Sequence, residues 1–122
     1  MMHLIRLKDC REFIAGDGSA LRELLHPEKA GLQINYSLAH AKVSAGQMTA
    51  PHKLKSCEVY YIITGQGIMH IDDKTLEVGP ECAVYIPSHS TQYIENIGNS
   101  DLNFLCIVDP PWRIEDEQVF NR

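Results

Sequence analysis

From Leu32 to Val43 the sequence LQINYSLAHAKV alternates loosely between apolar or small positions and polar ones, a period of two that suits a long strand with one face on a core. Similar short blocks recur at residues 67–71, 75–78, 82–86, 92–95 and 102–108. Asp72-Asp73, Gly79-Pro80-Glu81, Pro87 and Gly98-Asn99 separate them, all residue types that form turns. Turns about every ten residues predict an all-β sandwich or barrel. Ahead of this ladder, residues 3–7, HLIRL, read as a short first strand and Ala15 to Ser19 as a flexible turn. Ala20 to Leu25 is a strand or a single helical turn, ending where His26 precedes Pro27 and is pushed toward extended geometry. After Asp109 two prolines stop the last strand, Trp112 packs back on the barrel or on a partner subunit, and a short helix begins at Ile114.

The densest β signal and the candidate chemistry fall in one stretch, Gly46 to Gly65, spaced Gly46-x5-His52-x-Leu54-x3-Glu58-x6-Gly65. If one strand runs unbroken from 52 to 62, His52, Leu54, Glu58, Tyr60 and Ile62 share a face, and an imidazole and a carboxyl point into the same space. Lys53 and Lys55 then face the other way, toward solvent. Tyr60 is a candidate acid/base or oxyanion donor on the shared face, whereas Tyr61, Tyr85 and Tyr93 read as packing residues.

This spacing resembles the first motif of the cupin family, Gly-x5-His-x-His-x3,4-Glu-x6-Gly, with Leu54 in place of the second histidine. A second stretch, Gly79-x7-Pro87-x-His89-x2-Gln92-x3-Asn96, is similar to the family's Gly-x5-Pro-x-Gly-x2-His-x3-Asn. Its opening gap is two residues longer, His89 stands for a glycine, and Gln92 stands for the histidine. The resemblance covers about residues 37–108 of a single domain spanning 1–122, and implies a double-stranded β-helix, the jelly-roll barrel of that family.

By the same resemblance the metal ligands are His52, Glu58 and Gln92, holding a divalent ion (Mn, Fe, Ni, Zn or Co) more weakly than three histidines and a glutamate would. Glu58 and Tyr60 are then the catalytic candidates. The implied function is binding of a small oxygenated molecule in the barrel interior, with isomerase, epimerase, decarboxylase, lyase or dioxygenase chemistry assisted by the metal. The alternative is a small-ligand-binding barrel with no functional metal, which Leu54 and Gln92 favour. His40, His70 and His89 are candidates to replace the missing histidine, although a lone histidine in a strand is usually a hydrogen-bonded or exposed residue. The resemblance also implies a homodimer.

Composition narrows this picture. In 122 residues, 44% hydrophobic content with 22% charged is that of a folded globular chain. A net charge of −5 without a Lys/Arg run gives no footprint for nucleic acid or an anionic membrane. No apolar stretch is long enough for a signal core or a bilayer span, so a cytoplasmic protein is expected. Cys10, Cys57, Cys82 and Cys106 form no C-x-x-C pair and read as buried small hydrophobes rather than disulfide partners, with Cys57 facing away from Glu58.

Overall fold

Strand-forming segments at half-buried spacing must find partners for both their backbone and their apolar face, and here they do so by closing into two opposed antiparallel sheets. The computed structural model describes residues 2–120. The strands in chain order are β1 (Phe13–Ile14), β2 (Ala20–Leu25), β3 (Ser37–Val43), β4 (His52–Leu54), β5 (Cys57–Thr64), β6 (Gly67–Ile71), β7 (Lys74–Val78), β8 (Ala83–Ile86), β9 (Gln92–Asn96), β10 (Leu102–Asp109) and β11 (Glu117–Val119). One sheet has six strands in the order β1-β2-β3-β10-β5-β8, the other five in the order β11-β4-β9-β6-β7. This is the all-β double-stranded barrel expected from the turn spacing and the two motifs.

The core lies between the sheets. Ile62, Met69, Ile86, Ile94, Leu102 and Phe104 are essentially inaccessible, each on the inward parity of its strand. Phe104 packs against Tyr60 with ring centroids 4.5 Å apart. On β3 the inward positions are Ser37, Ala39, Ala41 and Val43. Three of these four are small, so near β3 the interior is left unfilled.

The expected continuous strand from 52 to 62 divides at Lys55-Ser56, which carries the chain from the five-stranded sheet to the six-stranded one. Ser56 Oγ donates to Pro110 O at 2.8 Å and Lys55 N to Asp116 O at 3.1 Å, fixing the crossing. Because the break sits at a sheet corner, His52, Leu54, Glu58, Tyr60 and Ile62 still all point inward. They approach the interior from opposite walls.

Other expectations shift. Residues 3–7 form no strand: Leu7–Asp9 is one 3₁₀ turn, and Leu4 and Ile5 are exposed with no neighbouring strand to pair them. The long strand begins at Ser37 rather than Leu32. His26 caps a four-residue helix, Pro27–Ala30, its Nδ1 accepting from Glu28 N at 3.2 Å. The helix expected from Ile114 is a single 3₁₀ turn, Ile114–Asp116, followed by β11, which pairs with β4. Cys106 is buried, but Cys82 is exposed because its backbone belongs to the Gly79 turn that precedes β8. All four cysteines are free.

Two motif positions are architectural. Asn96 donates through Nδ2 to Val43 O (2.9 Å) and Ser100 O (2.8 Å) and accepts from Gly98 N (2.9 Å), tying a turn to β3. Gly65 has φ +98°, and a Cβ there would sit 2.8 Å from Leu102 Cα and 2.9 Å from Asp101 O. Both the left-handed backbone and the close approach require glycine. Gly65→Ala is therefore expected to destabilise the fold by about 2 kcal/mol or more, read as a lowered denaturation midpoint with unchanged m-value; an unchanged midpoint would contradict this account of the turn.

Candidate functional site

The unfilled interior beside β3 is a cavity of about 280 Å³. That is the bulk volume of roughly nine waters, room for a small one- or two-ring molecule. Leu21, Leu54, Phe104 and Val108 contribute to its apolar wall, and His52, Glu58 and Tyr60 reach it from β4 and β5. Two flanking segments close its mouth: the Phe13-to-Asp17 stretch, and the tail with Trp112, Ile114 and Glu117. Trp112 thus packs back on the barrel, its N donating to Ser37 Oγ at 3.0 Å and its carbonyl bonded to His26 Nε2 at 2.9 Å.

Glu58 is only 6% exposed. Its Oε1 accepts from Gln92 Nε2 at 3.0 Å, and Gln92 Oε1 in turn accepts from Tyr60 Oη at 3.0 Å. The amide bridges the two side chains, and Gln92 is not among the residues that line the cavity. Glu58 Oε2 has no hydrogen-bond partner among the described residues. Burial of this carboxyl in an apolar wall pushes its pKa up to about 8, with Asp17 and Glu117 adding to the rise and the Gln92 bond opposing it. Burial likewise pushes the Tyr60 and Cys106 protons to stay on, reinforced by the Glu58 charge.

His52 is 3% exposed. Its Nδ1 lies 2.9 Å from Ala50 O, an acceptor, so Nδ1 carries a proton and Nε2 is the nitrogen left for other partners. Asp17 Oδ2 is 3.8 Å from that Nε2. Asp17 is itself held by the turn, its Oδ1 accepting from Ser19 N (3.0 Å) and Ser19 Oγ (2.7 Å). Glu117 lies against the same turn, its Oε1 3.1 Å from where a Gly16 Cβ would stand. Burial raises the Glu117 pKa and Asp17 adds to the rise, while the charge of a protonated His52 and a hydrogen bond from the Trp112 side chain oppose it.

The structure brings His52, Glu58 and Tyr60 to one cavity and leaves Gln92 out of its lining. Leu54, at 4% exposure, occupies the wall where the resembling motif has its second imidazole. With the Gln92 oxygen turned to Tyr60, the ligand set expected from the motif is reduced to one imidazole and one carboxyl. No group of three or more His, Cys, Asp or Glu converges among the described residues in a way that would hold a metal ion. The donors present do not fit a divalent metal at the motif positions. None of the replacement histidines lines the cavity. His40 lies beside Arg22 and Lys42, where burial and those charges lower its pKa. His70 is bonded to Glu95 and stacked on Tyr93, 4.0 Å between centroids. His89 is in a turn with φ +66°, the left-handed geometry that a glycine position in the motif foreshadows. Asp17 and Glu117 escaped the sequence reading. The Gly16-Asp17-Gly18 turn was visible, but nothing in its spacing says that it folds over the mouth of a barrel.

Comparison with known proteins agrees with this architecture. The family described as Cupin domain matches residues 39–108. An uncharacterized protein of Methanocaldococcus jannaschii is 42% identical over 110 residues, covering 89% of this chain and 87% of that one. The oxalate-binding protein of Thermotoga maritima is 32% identical over 71 residues, 57% of this chain and 59% of that protein, so the match spans less than two thirds of it. The polyketide cyclase RemF from Streptomyces resistomycificus superposes with a TM-score of 0.81 at 23% identity, covering 100% of this chain and 88% of the other, a likeness of fold.

A buried carboxyl with a raised pKa has a definite effect on stability. Its proton is bound more tightly in the folded state, so its ionisation penalty is absent below the unfolded value near 4.5, grows as pH rises, and is complete above about 8. Glu58→Gln is expected to leave stability nearly unchanged at pH 5 and to raise it by on the order of 3–5 kcal/mol at pH 8.5, read from denaturant midpoints at the two pH values. A variant that is equally or more destabilised at the higher pH would overturn the assignment.

Proposed function

The chain belongs to the cupin family, and from that premise we propose that it binds a small molecule with an apolar body and an oxygen function inside the barrel and moves a proton at Glu58 without a metal at the motif positions. One observation carries this reading: a buried carboxyl lining an apolar cavity, with one oxygen held by Gln92 and the other without a hydrogen-bond partner among the described residues. Held protonated near neutral pH, Glu58 donates to a ligand carbonyl, hydroxyl or leaving oxygen, a general-acid role that needs a raised pKa. Once it ionises, Gln92 Nε2 stabilises Oε1, and Tyr60 Oη keeps the amide in that orientation. Tyr60 is thereby a positioning residue through Gln92, its ring forming part of the wall. His52, with its proton on Nδ1, has Nε2 available as the complementary base, oriented by the Ala50 carbonyl and facing Asp17. An acid and a base across one cavity suit isomerisation, epimerisation or elimination among the chemistries the family resemblance implies.

The name of the Thermotoga maritima relative concerns oxalate. That ligand is not carried over, because among the described residues no Lys or Arg lines this cavity and the groups that do include Asp17, Glu58 and Glu117. The non-catalytic reading shares the cavity and differs only in lacking turnover. A homodimer remains part of the proposal: Tyr61, Ile63 and Tyr85 are exposed on the outer face of the neighbouring strands β5 and β8, apolar surface that a second copy would cover.

Deuterium incorporation from solvent into a panel of hydroxy ketones and enolisable carbonyl compounds, followed by NMR, tests the catalytic reading. Exchange by the wild-type protein should fall about 10²-fold or more in Glu58→Gln and less in Tyr60→Phe. Saturable binding with no exchange would leave a binding barrel in place of an enzyme. Metal titration is the companion test. Protein purified without chelator should carry little Mn, Fe, Co, Ni or Zn, and Leu54→His should raise affinity for Co or Zn by about tenfold or more by adding a donor beside His52. Near-stoichiometric metal in the wild type that is lost in both His52→Ala and Glu58→Ala would refute the metal-independent reading.

A further inference from the structure

Among the described residues, no Lys or Arg lines the cavity. Its ionisable lining comprises three carboxyl groups, Asp17, Glu58 and Glu117, with His52 and the thiol and phenol of Cys106 and Tyr60. These groups are not independent features of separate surfaces. Asp17 is 3.8 Å from His52 Nε2, and Glu117 Oε1 abuts the Gly16 position next to Asp17 in sequence. Charges on Asp17 and Glu117 both act on Glu58 and Tyr60 at the inner end of the cavity. With Glu58 holding its proton near neutral pH, the carboxylates that a ligand meets are Asp17 and Glu117, with the single imidazole of His52 beside them, among mostly apolar walls where charge interacts more strongly than in bulk water. Meanwhile Glu58 Oε2, on a side chain 6% exposed, lacks a hydrogen-bond partner among the described residues. The walls add aromatic rings from Phe13, Tyr60, Phe104 and Trp112. Aromatic faces together with carboxyls form an environment suited to an organic cation.

We infer that the ligand is a small amine: a one- or two-ring body seated against the apolar wall, its protonated nitrogen at the Asp17 and Glu117 end of the cavity and its oxygen function at Glu58 Oε2. This rests on the reading that the barrel interior is the binding site, and deepens it by naming the charge of the ligand. Asp17 and Glu117 line the cavity from two segments that already touch, the β1–β2 turn and the C-terminal tail, so a cation bound between them is shared by both. An anion of the same size meets the Asp17 and Glu117 carboxylates, and among the described residues no Lys or Arg lines the cavity to offset them. The field that admits an amine therefore rejects a dicarboxylate or a phosphate ester.

The test compares compounds matched in shape and differing in charge: tyramine, 4-ethylphenol and 4-hydroxyphenylacetate, with benzylamine, benzyl alcohol and benzoate as a second set. Affinities are measured on the full chain at pH 7 by amide shifts in protein NMR, at low salt. The amine of each set should bind about tenfold or more tightly than the neutral compound, and the carboxylate most weakly, with shifts centred on residues that line the cavity. Glu117→Gln should reduce the amine's advantage several-fold. Asp17→Asn should do the same, and Glu117→Gln remains decisive should loss of the Ser19 bonds unfold the turn. Neutral compounds that bind in the cavity as tightly as the amines, or carboxylates that bind more tightly, overturn the amine assignment and leave the cavity reading standing. No saturable binding by any of the six up to millimolar concentration, in a protein whose NMR spectrum shows it folded, overturns the cavity reading and the assignment together.

Discussion

The buried carboxyl of Glu58 is the constraint on which the rest of this site depends. A charged carboxylate moved from water into an apolar wall is costly by several kcal/mol unless it is paired, and among the described residues no Lys or Arg lines the cavity to pair it. The protein instead supplies one amide donor, from Gln92, and otherwise lets the carboxyl keep its proton. Gln92 can do this because its other end is occupied by Tyr60, and Tyr60 because its ring is anchored against Phe104 on β10. The chain of contacts runs from the core to the cavity. A proton that would sit on no exposed glutamate at neutral pH is thereby available to a bound molecule.

The same contacts account for the departure from the family's metal arrangement. In the motif that the sequence resembles, positions 54 and 92 would carry imidazoles. Here Leu54 adds to the hydrophobic wall, lowering the local polarity that Glu58 experiences, and Gln92 exchanges a metal ligand for a hydrogen-bond bridge. The two replacements act in one direction. Each removes a means of stabilising the ionised carboxyl by a cation, and together they leave a proton-holding group where a metal-holding group would stand.

Much of the barrel was legible in the sequence because a period of two, interrupted by Gly, Pro and Asp turns, carries its own physical meaning. The strands from 67 to 109 fall within a residue or so of their expected bounds, and His89 adopts the left-handed geometry that its place in the motif foreshadows. The first segment misled: HLIRL has strand composition, but a strand needs a partner edge, and β1 at Phe13–Ile14 takes the edge of β2 instead. The site was half legible. His52, Leu54, Glu58 and Tyr60 share a space as parity requires, although two strands in different sheets achieve it. Asp17 and Glu117 were not legible, since their role comes from long-range closure of a turn and a tail over the mouth, and pairing of β11 with β4 has no short-range signal. The bridging role of Gln92 was likewise invisible, because spacing places a side chain on a strand without saying which way its amide is used.

The protonation state of Glu58 is the quantity from which the acid–base reading follows, and it is directly measurable. Protein labelled with ¹³C at glutamate side-chain carboxyls, with Glu58→Gln used to assign the resonance, would be titrated from pH 4 to pH 10 by NMR. The Glu58 carboxyl carbon should remain at its protonated shift through pH 7 and move with a midpoint near 8. A midpoint below about 5, the range of an ordinary solvated glutamate, would show a carboxylate already ionised at neutral pH and would contradict the account.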